Sequence, residues 1–373
     1  MRISDNTIKA FFALIKAGLW EEDIQLLPFG TINYKEIYRL AEEQSILGLV
    51  AAGVEHVVDT KVPKEEALAF AGYSLQIEQQ NYLMNGFISG LIEKLNESRI
   101  TTILLKGQGI AQCYERPLWR SNGDVDLLLD EENYYKAKAF LSNFSKVIEE
   151  ENIKSLHYAV SIEPWVVELH GTFRSGLGKK IDAVIDEVQR LVLENNQVRI
   201  WKNGVTGIKI PSQDNDSFFV FTHILQHFFK GGIGLRQVCD WCRLLWTYRS
   251  ELDNKLLEQR LRQAGLITEW KTFAALAVNT LGMPKDVMPL YEDPKKWSRK
   301  ANRVLSLIME TGNFGHNRDN TYQKTSSFFV RKTISLYRST RDSIKRIVIF
   351  PVDAVRIWWI RLFEGIRTAA KGK

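Results

Sequence analysis

Hydrophobic side chains recur at every third or fourth position along the first 98 residues of this 373-residue chain. That period is typical of a helix with one apolar face. Ile8, Phe11, Ile15 and Leu19 mark such a face, and residues 37–54 and 67–95 repeat the pattern. The same period returns after residue 211 and continues to about residue 310. The pattern therefore predicts helical regions on both sides of a different central segment.

The central segment, residues 99–210, mixes two periods. Short apolar runs over residues 100–105, 125–129, 165–170 and 205–210 predict strands. A helix is predicted through residues 134–144, because acids at positions 130–132 suit a helix N-terminus. We therefore predict an α+β fold, predominantly helical, with a small mixed sheet at 99–210, an N-terminal helical region at 1–98 and a helical domain at 211–325.

The basic charge of the chain is concentrated in a tail, residues 326–373. The tail carries eleven Lys/Arg against Asp342, Asp353 and Glu364, a net charge of +8, whereas the whole chain carries +6. Its apolar residues form helical stripes on both sides of Pro351; they are Val330, Ile334, Tyr337, Ile344 and Val348, then Val355, Trp358, Trp359, Leu362 and Ile366. Packing of these stripes on the protein's own domain is the favoured interpretation. An anionic membrane surface is the second, and nucleic acid the third.

Composition places the chain among soluble globular proteins, with 45% hydrophobic and 25% charged residues. No run of 18 apolar residues occurs, and Lys16 interrupts the apolar stretch at residues 11–15, so we expect neither a membrane span nor a signal peptide. Three cysteines form no disulfide framework, and Cys239 and Cys242 are interpreted as helix residues. The expected compartment is the cytoplasm, peripheral at the membrane if the tail binds lipid.

Two aspartates one residue apart begin the buried strand predicted at 125–129. Because strand side chains alternate between faces, Asp124 and Asp126 project from the same face. Two carboxylates at that distance repel each other, and a divalent cation is the usual compensation. Oxygen-only ligands favour Mg²⁺ or Mn²⁺. The pair therefore predicts a metal site.

Two further elements supply what a metal-dependent phosphoryl or nucleotidyl transfer site needs. Gly107 follows the strand at 100–105, where it allows phosphate to approach backbone N–H groups, and Lys106 adjoins it as a charge partner. Glu168, within an apolar strand, is the candidate for a third acid or a base. His170 shares its face by alternation. A hydrogen-bonded histidine at the end of a strand is slightly favoured over a residue that orients Glu168 or contacts substrate.

Several other polar residues have two interpretations each. Arg120 suits a bidentate phosphate contact or a structural ion pair equally well. His223 and His227 share a helix face, and a packed or substrate-facing pair is favoured over metal ligation, since no HExxH motif is present. Asp240 is expected to pair with Arg236 or Arg243.

The ordered motifs resemble an uncharacterised nucleotidyltransferase family of the polymerase-β-like superfamily. The motifs are Lys106-Gly107, Tyr114, Pro117, Arg120, Gly123-Asp124-Val125-Asp126, Glu168-Leu169-His170, His223-x-x-x-His227, Leu235-Arg236 and Asp240. The resemblance implies a palm-like mixed sheet that binds two Mg²⁺ through Asp124, Asp126 and Glu168. It also implies an NTP donor such as ATP, bound near Lys106, Gly107 and Arg120, whose NMP group passes to a hydroxyl acceptor with release of pyrophosphate. Residues that would contact the substrate or support the site are His170, His223, His227 and Asp240.

Two departures from the family pattern keep a second hypothesis open. Gln108 follows Gly107 where the superfamily usually has Ser or Gly, and the third acid is Glu168 where many members carry Asp. A catalytically degenerate nucleotide-binding or scaffold protein on the same palm is therefore the alternative. Another kind of phosphotransfer, or nucleotidyl transfer to protein, shares the same metal core.

Overall fold

The computed structural model describes residues 4–152, 156–313 and 328–370. The predicted boundary between helical domain and tail, at residues 325 and 326, lies outside the described residues, as do the side chains of Val330, Leu362 and Ile366. The predicted N-terminal helices are present, and Ser4 caps the first of them by accepting from Thr7 N–H. They are α1 (Asp5–Trp20), α2 (Tyr34–Glu43), α3 (Leu47–Glu55) and α4 (Lys64–Glu97).

A mixed five-stranded sheet forms the centre of the segment at 99–210. Its order is β1-β2-β5-β4-β3; β2 and β5 are parallel, and the other neighbours are antiparallel. The strands are β1 (Ile103–Leu105), β2 (Asp124–Leu128), β3 (Lys146–Asn152), β4 (His157–Ile162) and β5 (Trp165–His170), and a separate hairpin pairs β6 (Val198–Asn203) with β7 (Thr206–Pro211). Helices α5 (Gly107–Ala111), α6 (Glu131–Ser142) and α7 (Lys179–Leu193) connect them.

Four of these elements were not predicted from the pattern: β3, β4, β6 and α7. The sequence of β3 is KVIEEEN, a charged strand at the edge of the sheet, so it lacks the apolar alternation that identifies a half-buried strand. The four predicted strands correspond to β1, β2, β5 and β7. Asp130 caps α6 by accepting from Asn133 N–H, as the acids there indicated.

The C-terminal helices share a core with the N-terminal ones. One cluster of buried side chains includes Phe11 and Leu14 of α1 together with Trp241 and Phe273 from the C-terminal half. A second cluster lies between the sheet and α4. Both buried cysteines of the CxxC lie within α9, as predicted. The helices are α8 (Gln213–Lys230), α9 (Leu235–Thr247), α10 (Asn254–Ala264), α11 (Ile267–Leu281) and α12 (Lys295–Thr311).

The tail forms two helices, α13 (Phe328–Ile349) and α14 (Pro351–Ala370), which meet at Pro351 as predicted. The tail packs on the protein's own domain, as the favoured interpretation expected, through buried Ile349, Phe350, Ala354 and Ile357. The predicted stripe is not the packed face of α13, because that helix turns polar residues inward. Asp342, Ser343 and Arg346 are buried, while Ile344 and Val348 are 57% and 55% exposed. None of the described helices combines the length and the hydrophobicity that a bilayer span requires.

Candidate active site

Two neighbouring parallel strands carry the acidic residues. In the register of β2 and β5, Asp126 lies beside Glu168, and alternation puts Asp124 and His170 on the same face of the sheet. One carboxylate oxygen from each of Asp124, Asp126 and Glu168 lies within 4.8 Å of the others. These three residues form one cluster, called the acidic cluster below.

Lys106 is the cation that faces the acidic cluster. It follows β1 with a φ of 50°, a conformation that is uncommon for residues other than glycine. Its Nζ lies 3.1 Å from Asp126 Oδ1, and His170 Nε2 lies 2.8 Å from the same oxygen. Burial by itself raises the pKa of the Asp126 carboxyl, but Lys106 and His170 outweigh it and hold that pKa below its ordinary value. Asp126 is therefore ionised although it is buried.

The other two acids differ in their surroundings. His157 and His170 lie 3.3 and 3.4 Å from Glu168 Oε2, and hydrogen bonds from them hold the pKa of Glu168 well below its usual range. Asp124 lies at the exposed end of β2, and repulsion from Asp126 raises its pKa. An additional cation beside Asp124 would relieve that repulsion. The cluster thus fits a hard divalent cation.

On the opposite side of the site, Asp240 of α9 holds Arg120. Nε and Nη2 of Arg120 donate to the two carboxylate oxygens of Asp240 at 2.8 and 2.7 Å, and Nη1 donates to Asn122 Oδ1 at 2.9 Å. The Tyr114 hydroxyl also donates to Asp240, at 2.9 Å. Of the two interpretations of Arg120, the ion pair is the one that the structure contains. Its predicted contact with a nucleotide stays a prediction.

Arg236, one helical turn before Asp240, stands beside this ion pair. The predicted pairing of Asp240 with Arg236 or Arg243 was wrong, since Asp240 binds Arg120 and Arg243 donates to backbone carbonyls. Nη1 of Arg236 donates to the Ser121 carbonyl at 2.9 Å, and its buried Nε has no hydrogen-bond partner in the described structure. Burial and repulsion from Arg120 lower its pKa. A cation with an unused, buried donor suits an anionic ligand.

Helix α8 contributes two histidines to the site. The rings of His223 and His227 touch, with centroids 4.4 Å apart, and His223 Nε2 lies 3.5 Å from Lys106 Nζ. Burial and the charge of Lys106 push the pKa of His223 well below its ordinary value and place that of His227 at about 4. Both imidazoles are therefore neutral at pH 7, and each ring can accept one hydrogen bond.

These elements enclose a cavity of about 740 Å³ between the sheet and helices α8 and α9. All ten residues that the sequence singled out line it: Lys106, Gly107, Arg120, Asp124, Asp126, Glu168, His170, His223, His227 and Asp240. The structure adds lining residues that were not predicted to bind a ligand, among them Asn122, His157, Arg174 and Arg236. Only Arg236 carried a usable signal, because it precedes Asp240 by four residues and so shares its helix face.

Fold and site together define a class: an α+β protein whose sheet presents a three-carboxylate cluster to a cleft walled by helices. The model of a family described as uncharacterised nucleotidyltransferase matches residues 30–282. The chain belongs to that family, as the motifs indicated. Comparisons with curated proteins and with solved structures found no match.

Proposed function

We propose that the protein is a metal-dependent nucleotidyltransferase that moves an NMP group from an NTP to a hydroxyl acceptor and releases pyrophosphate. The observation that carries the proposal is the cavity in which the acidic cluster and Arg236 face the same space. One side of this space fits cations and the other fits an anion, and a metal-bound triphosphate contains both. The volume of about 740 Å³ lies in the range of small-molecule sites.

The acidic cluster fits Mg²⁺ or Mn²⁺ by its donor set, which is three carboxylate oxygens within 4.8 Å of one another. Asp124, Asp126 and Glu168 would hold the ion. When bound, it supplies positive charge that offsets the phosphate charge and lowers the pKa of a hydroxyl. Lys106 and His170 keep Asp126 ionised and oriented for this role.

Arg236 is the residue that we assign to the triphosphate. Its unused Nε and its position beside the Arg120–Asp240 pair support a contact with a phosphate oxygen. Gly107 lines the same space with a φ of 42°, a backbone conformation that favours glycine. The predicted nucleotide contacts of Lys106, Gly107 and Arg120 are part of this proposal.

In the proposed reaction the acceptor oxygen forms a bond to the α-phosphorus. The bond from that phosphorus to the oxygen bridging to the β-phosphorus breaks, and pyrophosphate leaves. The hydroxyl proton passes to a carboxylate oxygen of Glu168, which is ionised. Because His157 and His170 make this carboxylate a weak base, the transfer requires the lower hydroxyl pKa that a bound metal ion would supply. His223 and His227 line the same space, and their predicted contact with the substrate is part of this proposal.

The second candidate is the degenerate nucleotide-binding or scaffold protein. A thermal-shift titration with each NTP, with and without Mg²⁺ or Mn²⁺, tests nucleotide binding. We expect a metal-dependent rise in Tm that disappears in Asp124→Asn/Asp126→Asn and persists in Asp286→Asn, an exposed acid outside the cavity. Release of pyrophosphate with a hydroxyl acceptor then separates the candidates: binding without turnover supports the scaffold, and no shift with any nucleotide contradicts both.

The basic tail adds a partner to this proposal, an anionic membrane surface. Support comes from the net charge of +8 over residues 326–373 and from the apolar side chains that its helices expose. Tyr337, Ile344, Val348, Val352 and Trp359 are 68%, 57%, 55%, 75% and 48% exposed. Helices of this composition lie in the plane of the membrane–water interface and do not span the bilayer. The enzyme would then act in the cytoplasm, peripheral at the membrane.

Vesicle sedimentation tests this partner. The full chain should sediment with vesicles that contain anionic lipid and remain in solution with neutral phosphatidylcholine vesicles. Ile344→Asp/Val348→Asp should weaken binding at least tenfold, while Val205→Asp, a change at a hairpin tip, should not. Equal binding to both vesicle types, or binding to RNA instead, would contradict the proposal.

A further inference from the structure

Helix α4 presents two opposite faces of similar apolar character. Its inner face packs on the body of the protein through buried Phe70, Ile77, Met84 and Ile88. The outer face lies on the other side of the helix. We define it as Leu68, Gly72, Leu75, Gln79, Tyr82, Leu83, Gly86 and Gly90, which fall within one stripe at helical spacing. Leu68, Leu75, Tyr82 and Leu83 are 62%, 70%, 71% and 56% exposed.

The outer face carries no charge. Between residues 67 and 92 the only charged residue is Glu78, and it lies off this face, where it accepts a hydrogen bond from Trp119 at 2.9 Å. A helix that meets water on one side normally places charged and polar residues there. Depletion of charge in favour of aromatic and aliphatic side chains characterises the core of a protein interface.

The glycines of the outer face also indicate an interface. A side chain built at Gly72, Gly86 or Gly90 would meet nothing within 4 Å, so packing inside one chain does not require glycine there. Each costs about 1 kcal/mol of helix stability relative to alanine. The cost is offset if another backbone approaches closely at these positions.

The pattern is nearly symmetric about Gln79. Leu75 and Leu83 stand four residues to either side, and Gly72 and Gly86 stand seven residues to either side. In an antiparallel helix pair with its two-fold axis at Gln79, Leu75 would lie opposite Leu83 of the partner subunit, and Gly72 opposite Gly86 of the partner subunit. Such self-complementarity is what a two-fold interface requires, because the same patch serves both subunits.

We infer that the outer face of α4 binds a second copy of this chain, antiparallel, to form a homodimer. The stripe from Leu68 to Gly90 is about 33 Å long at the helical rise, and its four large side chains expose on the order of 500 Å². With Gln79 and the three glycines between them, the exposed area approaches the roughly 800 Å² per partner of a standard interface. The inference goes beyond the proposed function and does not depend on it.

The interface would lie directly behind the cavity. Asn81, on the inner face, donates to the carbonyls of Leu118 and Arg120 at 2.7 and 2.8 Å, and Gln108 donates to Asn81 Oδ1 at 2.9 Å. One helix thus supports the Arg120 segment and the Gly107 turn with one face while the other face contacts the partner.

Light scattering on a sizing column with the full chain tests the inference. The wild type should elute with the mass of a dimer at micromolar concentration, and Leu75→Arg/Leu83→Arg with that of a monomer. Val205→Arg places the same residue on an exposed apolar site elsewhere and should remain dimeric. Because the substituted leucines are mostly exposed, the Tm of the monomer should change little when it is measured at a protein concentration below the dissociation constant of the dimer. A wild type that is monomeric overturns the inference.

Disulfide trapping tests the axis. Gln79→Cys should form a linked dimer under mild oxidation, because the two copies of that residue meet at the axis, whereas Gln80→Cys, one residue further round the helix, should link poorly. The natural cysteines Cys113, Cys239 and Cys242 are buried and give a low background. Linking at Gln80 in preference to Gln79, or a Leu75→Arg/Leu83→Arg variant that stays dimeric, contradicts this geometry.

Discussion

The protein buries carboxyl groups close together in two regions and compensates them in opposite ways. In the cavity, Lys106 and the histidines hold Asp126 and Glu168 ionised. Between α11 and α14, the side chain of Glu269 forms a hydrogen bond with that of Asp353. Burial and this hydrogen bond raise the pKa of Glu269 to about 9. A proton therefore compensates the second pair at pH 7. The cavity therefore keeps its negative charge available for a ligand, whereas the contact between α11 and α14 is neutralised by a proton and offers no charge to a ligand.

The largest effect should come from removing charge in the cavity. Asp126→Asn deletes the acid that Lys106 and His170 orient, so nucleotide-dependent turnover should fall at least about 100-fold, since metal sites contribute several kcal/mol to such reactions. Turnover is measured by pyrophosphate release, with circular dichroism to confirm the fold. Asp286→Asn is the control. A variant that keeps more than a tenth of wild-type turnover would refute the role of the cluster.

Breaking the ion pair across the cavity should act on stability. Asp240→Asn leaves the buried guanidinium of Arg120 without its counter-charge, which should lower the free energy of unfolding by about 3 kcal/mol. Urea unfolding measures it. The exposed pair of Arg262 and Glu258 supplies the contrast, because Glu258→Gln should cost less than about 1 kcal/mol. Equal costs would mean that the burial of the pair is unimportant.

Arg236 should separate ligand binding from folding. Arg236→Gln removes a cation that has no acid partner in the described structure, so we expect nucleotide affinity to weaken about tenfold to 100-fold, as for a charged hydrogen bond. Calorimetric titration in the presence of Mg²⁺ measures this affinity. Tm without nucleotide should fall by only a few degrees, because only the hydrogen bond to the Ser121 carbonyl is lost. Arg299→Gln, on the exposed side of α12, is the control. Unchanged affinity would show that a residue other than Arg236 contacts the phosphate.

The protonated pair of Glu269 and Asp353 should make the stability of the protein depend on pH. Glu269 has an ordinary pKa of 4.5 and a folded pKa of about 9, so between these values the folded state binds one more proton than the unfolded chain. Stability from this group is complete below about pH 4.5 and is lost as the pH rises toward 9. The decrease of Tm between about pH 4.5 and pH 9 should be a few degrees smaller in Glu269→Gln than in the wild type. Glu251→Gln, a substitution of an exposed residue, should leave this decrease unchanged. An unchanged slope would show that Glu269 is not protonated.

Much of the site was readable because its chemistry sits on local patterns. Alternation along β2 placed Asp124 and Asp126 together, and the apolar strand around Glu168 identified β5. Strand β3 escaped prediction because three consecutive glutamates at the sheet edge lack apolar alternation. Helix α7 was missed although Ile181, Val184, Ile185 and Val188 carry a helical period. Side-chain partners escaped as well, since Arg120 and Asp240 are 120 residues apart in the chain.

The acids, their spacing and the helical regions follow from the amino-acid sequence alone, because backbone period and residue chemistry act within a few positions. Packing between distant segments sets which residues compensate those acids. It also pairs Asp240 with Arg120, leaves Arg236 to the cavity, and turns apolar side chains of α13 and α4 to the outside. These outcomes depend on distance and burial between segments far apart in the chain. Burial sets the electrostatic free energy of each charge, and it exists only once the elements have packed.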